Sequence, residues 1–250
     1  MLPTLGIIAG DGDLPREIAA LYSKNGGKCF IASIGQAESW ADISYKSFAI
    51  GAVGGILEYF KENLVENVII VGGIKRPNLS SLKVDISGSV LLAHILKQKI
   101  LGDDNVLKIV SEYIGSKGFT VISPKEILKF SDYEVAVCSK KSASKQDKID
   151  IEIGKKVIES LGALDVGQSV IVCDGYVVGI EAAEGTDNLI KRCALLRNKA
   201  SGGVLVKLAK SGQDRRLDTP VIGPQTIMCL AQHGFNGVAI EKNGVIVIKP

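Results

Sequence analysis

The residues with the most chemistry in them crowd into the C-terminal half. Between Lys207 and Gly223 stand Lys207, Lys210, Gln213, Asp214, Arg215, Arg216 and Asp218, followed by Pro220. Cations in such a cluster can hold phosphoryl oxygens, and a carboxylate among them can hold a metal ion or take a proton from water. No simple period fits the stretch, so it reads as a loop rather than a strand or an amphipathic helix. Loops on a rigid frame are where function concentrates, although a merely solvated loop has the same composition. Just upstream, Glu181, Glu184 and Asp187 flank a Gly185-Thr186 turn. Oxygen ligands of this kind suit Mg2+, a hard ion that keeps several waters. Thr186 or Asp187 acting as a helix N-cap is the competing reading, and Glu181 needs a partner if buried.

The N-terminal half offers two glycine turns. Gly10-Asp11-Gly12-Asp13-Leu14-Pro15 follows an apolar run and stands where a dinucleotide fingerprint would. Its third glycine position is Pro15, Asp11 and Asp13 oppose a bare pyrophosphate, and the second strand ends in Ser33-Ile34-Gly35 without a ribose-binding acid. The second turn, Gly72-Gly73 followed by Lys75 and Arg76, exposes backbone beside two cations and suits an anionic ligand or a plain crossover turn.

The elements that must position these residues differ between the halves. Up to about residue 125, short β-branched runs (Leu5–Ala9, 28–34, 47–50, Val68–Val71, 119–122) alternate with helical stretches. That pattern predicts a parallel sheet covered on both faces, with ligands at the carboxyl ends of its strands. Residues 139–146 are polar and cationic, as a linker would be. Beyond them Asp147 to Leu161 reads as a helix, with Asp147 as its start. Asp174-Gly175 between alternating strands predicts a type I′ hairpin, and Asn243-Gly244 predicts a second one pairing 238–241 with 245–248. The expectation is α/β: a Rossmann-like domain over 1–130 with a mainly parallel sheet, a linker over 131–146, and a distinct α+β catalytic domain over 147–250.

Composition narrows the class. The formal net charge of +3 argues against nucleic acid as a partner, and no basic tract contradicts that. Five widely spaced cysteines with no C-x-x-C, together with no secretory signal, suit a reducing cytoplasm. Two histidines supply a His-based metal site or a Ser-His-Asp triad poorly. No apolar run reaches the ~18–20 residues that span a bilayer, so membrane contact would be peripheral at most.

Taken together the segments resemble a known family. Gly6-Ile-Ile-Ala-Gly10 with Leu14-Pro15, Gly73-Ile-Lys-Arg76-Pro77, Gly102-Asp103-Asp104, Asp165-Val-Gly167-Gln168, Glu181 to Asp187, and Asp218-x-Pro220-x-Ile-Gly223 occur in the order seen in the UDP-2,3-diacylglucosamine pyrophosphatases of lipid A biosynthesis, in the form unrelated to the metallophosphoesterase-fold enzyme. The resemblance implies Mg2+-dependent attack of water on the α-phosphorus, giving UMP and the diacylglucosamine 1-phosphate called lipid X. It also implies a cytoplasmic, two-domain enzyme whose catalytic Asp matches Asp218. On this reading Asp218, Asp214 and Arg216 are catalytic. Gly10, Gly12, Gly72, Gly73, Arg76, Gly185, Thr186, Lys207, Lys210, Gln213 and Arg215 hold substrate. Asp218, Glu181, Glu184 and Asp187 are the metal ligands. A homodimer and peripheral inner-membrane contact complete the expectation. A non-catalytic sugar-nucleotide-binding module and an NAD-dependent sugar-nucleotide oxidoreductase are the alternatives.

Overall fold

The computed structural model describes residues 2–34, 45–74, 77–78, 82–97, 102–128, 141–162, 164–198, 201–210, 217, 219–242 and 244–248. Gln213, Asp214, Arg215, Arg216, Asp218 and Arg76 lie outside them. The chain divides into two compact units, one from Met1 to Tyr133 and the other taking most of the chain from Glu134 onward.

The first unit runs β1 (Leu5–Ala9), α1 (Leu14–Lys24), β2 (Cys29–Ile34), β3 (Tyr45–Phe48), α2 (Val53–Glu62), β4 (Asn67–Val71), α3 (Ile86–Leu96), α4 (Asp103–Ser116), β5 (Thr120–Val121) and α5 (Pro124–Leu128). Its five strands lie in the order β3-β2-β1-β4-β5, and every described pairing is parallel. All five residues of β1 are buried, which explains why its sequence is a continuous apolar run rather than an alternation. On one face Ile8, Ala32, Val68 and Ile70 pack with Ile56, Phe60, Leu91 and Ile114 of the covering helices. The strand order reverses between β1 and β4, the place where doubly wound sheets open a ligand crevice.

The second unit runs α6 (Lys145–Gly162), β6 (Ser169–Cys173), β7 (Tyr176–Ile180), α7 (Thr186–Leu196), β8 (Val204–Lys207), β9 (Val221–Ile222), α8 (Pro224–Gln232), β10 (Gly237–Ile240) and β11 (Ile246–Val247). Four strands form a mixed sheet in the order β10-β8-β6-β7. Strand alternation divides its side chains between two cores. Val170, Val172, Val204 and Val206 face α6 with Ile158, whereas Ile171 and Leu205 face α7 and α8 with Leu189, Ile190, Cys193 and Leu230. Close approach of α6 depends on Gly154, where a side chain would meet Val206 at 2.5 Å. The chain is thus α/β with a parallel sheet in its first unit and a mixed sheet in its second.

Three local expectations meet different outcomes. Asp174 and Gly175 both have positive φ (52° and 80°) and join the antiparallel β6–β7 pair, as a type I′ turn requires. The 243–244 hairpin does not form. β10 pairs in parallel with β8, and β11 pairs in parallel with β9. A turn is present there, since the Gly244 amide donates to the Glu241 carbonyl at 3.0 Å. The strands on its two sides belong to different sheets, because α8 makes a β–α–β crossover that returns β10 beside β8. Helix α6 starts at Lys145, inside the stretch read as linker. Ser144 and Asp147 form a reciprocal box: the Ser144 amide donates to Asp147 Oδ2 at 2.8 Å and the Asp147 amide to Ser144 Oγ at 3.1 Å. Asp147 is therefore the inner member of the cap, not the first residue of the helix.

Candidate active site

Strand geometry builds the site in the second unit. Lys207 lies two residues beyond Leu205 on β8, so its side chain projects to the α7 side of the sheet. Ser169 stands directly opposite it across the antiparallel β6–β8 pair and projects to the same side, as its parity with Ile171 dictates. Helix α7 begins with Thr186 after Gly185, whose φ of 78° is the left-handed backbone that favours glycine.

These elements and the end of β7 bring Lys207, Thr186 and Glu181 together. The Lys207 ammonium, on a residue only 6% exposed, donates to Thr186 Oγ1 at 2.6 Å. The same hydroxyl donates to Glu181 Oε1 at 2.8 Å, and Ser169 Oγ lies 3.5 Å from it. The backbone of Glu181 is fixed in turn: its amide donates to the Ser169 carbonyl at 2.8 Å. A side chain on Gly167 (φ 59°) would meet the Glu181 carbonyl oxygen at 2.2 Å, so only glycine fits there. A buried ammonium beside the start of a helix, where the macrodipole is positive, is a locus for phosphoryl oxygens.

The other expected ligands are engaged elsewhere. Glu184 accepts from Arg192 at 2.5 Å and from the Ala182 amide at 3.1 Å, and the guanidinium holds its carboxyl below the usual range. Asp187 accepts from Thr226 Oγ1 at 3.1 Å, tying α7 to α8. Among the described residues no three His, Cys, Asp or Glu side chains are grouped so as to hold a metal ion. Among the described residues the three carboxylates of the turn are not gathered at one point, and each accepts from a different partner: Glu181 from Thr186, Glu184 from Arg192 and Asp187 from Thr226. Lys210 is ion-paired with Asp165, a residue given no role on sequence grounds. Ser169 was also missed, because only the β6–β8 register brings it opposite Lys207. Cys193 and Cys229 are buried, and burial is the main cause that pushes both thiols up, so neither suits nucleophilic work.

In the first unit Gly10, Gly72 and Gly73 do meet, at the switch point between β1 and β4, but backbone closes on backbone. The Asp11 and Gly73 amides each donate to the other's carbonyl at 2.8 Å, and the Gly10 amide donates to Val71 at 2.8 Å. A side chain at Gly10 would meet the Gly73 carbonyl oxygen at 2.5 Å. Gly12 (φ 103°) has open space around it. The amides a pyrophosphate cradle needs are taken at Gly10, Asp11 and Gly73, and Pro15 in the first turn of α1 has none to give. This counts against the dinucleotide reading.

Fold and site together define a two-unit α/β protein with a parallel-sheet first unit and a cationic site at a strand end in its second. Residues 4–131 match the LpxI N-terminal domain and residues 134–250 the LpxI C-terminal domain, so the chain belongs to the LpxI family. It is 31% identical over 255 aligned positions to the UDP-2,3-diacylglucosamine pyrophosphatase LpxI of Caulobacter vibrioides, across 98% of this chain and 90% of that protein.

Proposed function

We propose that this chain hydrolyses the pyrophosphate of UDP-2,3-diacylglucosamine in lipid A biosynthesis. Water attacks the α-phosphorus, the bond from that phosphorus to the bridging oxygen breaks, and the products are UMP and 2,3-diacylglucosamine 1-phosphate. The observation that carries the reading is that both units match the same pyrophosphatase family over nearly the full chain. The site is chemically suited to it, since splitting a pyrophosphate requires fixed cations on two phosphoryl groups and a water in line. Lys207 is such a cation, and Asp218, with Asp214, Arg215 and Arg216 beside it, follows in the same connection between β8 and β9.

Mg2+ enters this reading through Asp218 and the substrate's own phosphate oxygens, because this ion commonly uses one or two carboxylates and keeps water on its other positions. Among the described residues Glu181, Glu184 and Asp187 do not gather as a shared cage. The test is direct: purified protein with UDP-2,3-diacylglucosamine and Mg2+ releases UMP, and in 18O-labelled water the label enters UMP. Label in the sugar phosphate instead would overturn α-phosphorus attack, and no UMP at all would overturn the activity.

A diacylated substrate resides in a bilayer, and α3 offers a surface to meet one. Among the described residues no helix is long and apolar enough to cross a membrane. Ile86 (87% exposed), Val90 and Leu96 nonetheless stand in solvent along a helix whose one titratable residue is His94. Exposed apolar helix surface of this kind calls for a partner. Asp85, the only acid between residues 82 and 97, accepts from the amides of Gly54 and Gly88 at 2.7 Å and of Gly55 at 3.2 Å. The outward charges at the two ends are Lys83 and Lys97, which complement anionic headgroups. Antiparallel pairing of two copies through α3 would set Lys83 against Lys97, which disfavours self-association. The double variant Ile86→Glu/Val90→Glu is expected to bind phosphatidylglycerol-containing vesicles at least about tenfold more weakly in flotation, since each buried aliphatic side chain is worth ~1.5–3 kcal/mol. Its turnover of detergent-dispersed substrate should match wild type. Unchanged flotation would remove α3 as the contact.

A further inference from the structure

Lys207 and Lys210 leave the same strand and both are buried, yet their charges are balanced differently. Lys210 meets a carboxylate directly, at Asp165. Among the described residues, Lys207 reaches one only through a hydroxyl. Its ammonium donates to Thr186 Oγ1 at 2.6 Å, and the Thr186 hydroxyl donates in turn to Glu181 Oε1 at 2.8 Å. A hydroxyl that donates to a carboxylate keeps its lone pairs for an incoming donor, and the two bonds polarise each other. Glu181 thereby fixes which way the Thr186 proton points and strengthens the acceptor that Lys207 uses. Ser169, fully buried and opposite Lys207 in register, closes the same polar cluster.

We infer that Glu181 is a positioning residue for Lys207, acting through Thr186 and not as a metal ligand. The inference rests on the pyrophosphatase reading of this site. A lysine side chain is long and flexible, so a cation meant for a phosphoryl oxygen must be held before the substrate arrives. Direct pairing with a carboxylate would hold it but cancel the charge it offers. Holding it through a neutral hydroxyl fixes the ammonium without setting a carboxylate directly against it. Strand β8 sets the direction of the side chain, the N-terminus of α7 supplies the hydroxyl, and the end of β7 leads into the carboxylate that orients it.

The full-length chain tests this with Glu181→Gln, Thr186→Val, Thr186→Ser, Lys207→Ala and the double variant Thr186→Val/Lys207→Ala. Release of UMP from UDP-2,3-diacylglucosamine and calorimetric titration with UDP are both measured. Glu181→Gln and Thr186→Val are expected to lower kcat by about ten- to hundredfold with KM within about threefold, the scale of a misplaced catalytic cation. Thr186→Ser, which keeps the hydroxyl, recovers most of that loss. In the Lys207→Ala background Thr186→Val costs no more than about twofold, because the group it serves is gone. Multiplicative losses, or full kcat in Glu181→Gln, overturn the relay. A purely structural role would lower the melting temperature and be additive with Lys207→Ala. If wild type binds UDP without releasing UMP, the pyrophosphatase reading fails by itself. The same non-additivity is then read in UDP affinity, and additive losses there overturn the relay too. A wild type that does neither overturns both.

Discussion

Asp218→Ala lowers UMP release by about a hundred- to thousandfold, the usual loss when one transition-state group is removed, while its thermal unfolding stays with that of wild type. The expectation rests on what surrounds the position in the chain. Asp218 follows buried Leu217 and precedes buried Pro220, and Pro220 leads into β9, which is paired with β11. A carboxylate that follows Asp214, Arg215 and Arg216 in sequence is suited to orienting water or holding a metal with the substrate phosphates. Asp218→Asn separates these roles from shape: it keeps the size of the side chain, removes the charge, and should lose nearly as much as Asp218→Ala. Stopped assays for UMP beside a melting curve give both readouts. Wild-type turnover in a folded Asp218→Ala protein would take the catalytic role away from this residue.

What could be read from residue order alone divides along a physical line. The buried strands of the first unit are legible because β1 and Val68–Val71 of β4 are buried at successive positions and so read as continuous apolar runs. The Asp174-Gly175 turn was legible because positive φ at both positions is a local requirement that few residues meet. Asn243-Gly244 carries the same local signal and does not make a hairpin. The partners of β10 and β11 are chosen by long-range pairing to β8 and β9, which no dipeptide encodes. The same limit governs the site. Lys207, Thr186 and Glu181 were legible by type, since a cation, a hydroxyl and an acid near strand ends invite phosphate chemistry. Ser169 was not, because its place depends on the register of β6 against β8. Sequence shows the charge of Glu184 and Asp187 but not the Arg192 and Thr226 side chains that donate to them, since those come from elsewhere on α7 and from α8.

Lys210 shows that distinction most sharply, and Lys210→Met is expected to destabilise the second unit by about 3–5 kcal/mol, the cost of leaving one partner of a buried ion pair behind. The side chains of Lys210 and Asp165 are 7% and 10% exposed, so water can replace little of the lost charge pairing. Against a total stability of about 5–15 kcal/mol that is a large fraction, and at roughly 2–4 °C per kcal/mol for a chain of this size the melting temperature should fall by about 10 °C. Asp165 has a φ of 55°, a backbone that asparagine tolerates well and alanine does not. The informative companion is therefore Lys210→Met/Asp165→Asn, which removes both charges without straining the turn and should regain about half of the loss. Denaturant unfolding of the two variants checks the pair. If Lys210→Met unfolds with wild type and loses activity instead, Lys210 belongs with Lys207 among the phosphate-holding cations. If stability falls and the double variant recovers it, Lys210 anchors the Asp165–Gly167 turn on which the backbone of Glu181 rests. In that case β8 and its exit hold two buried lysines in different ways, Lys210 against the Asp165 carboxylate and Lys207 through the Thr186 hydroxyl.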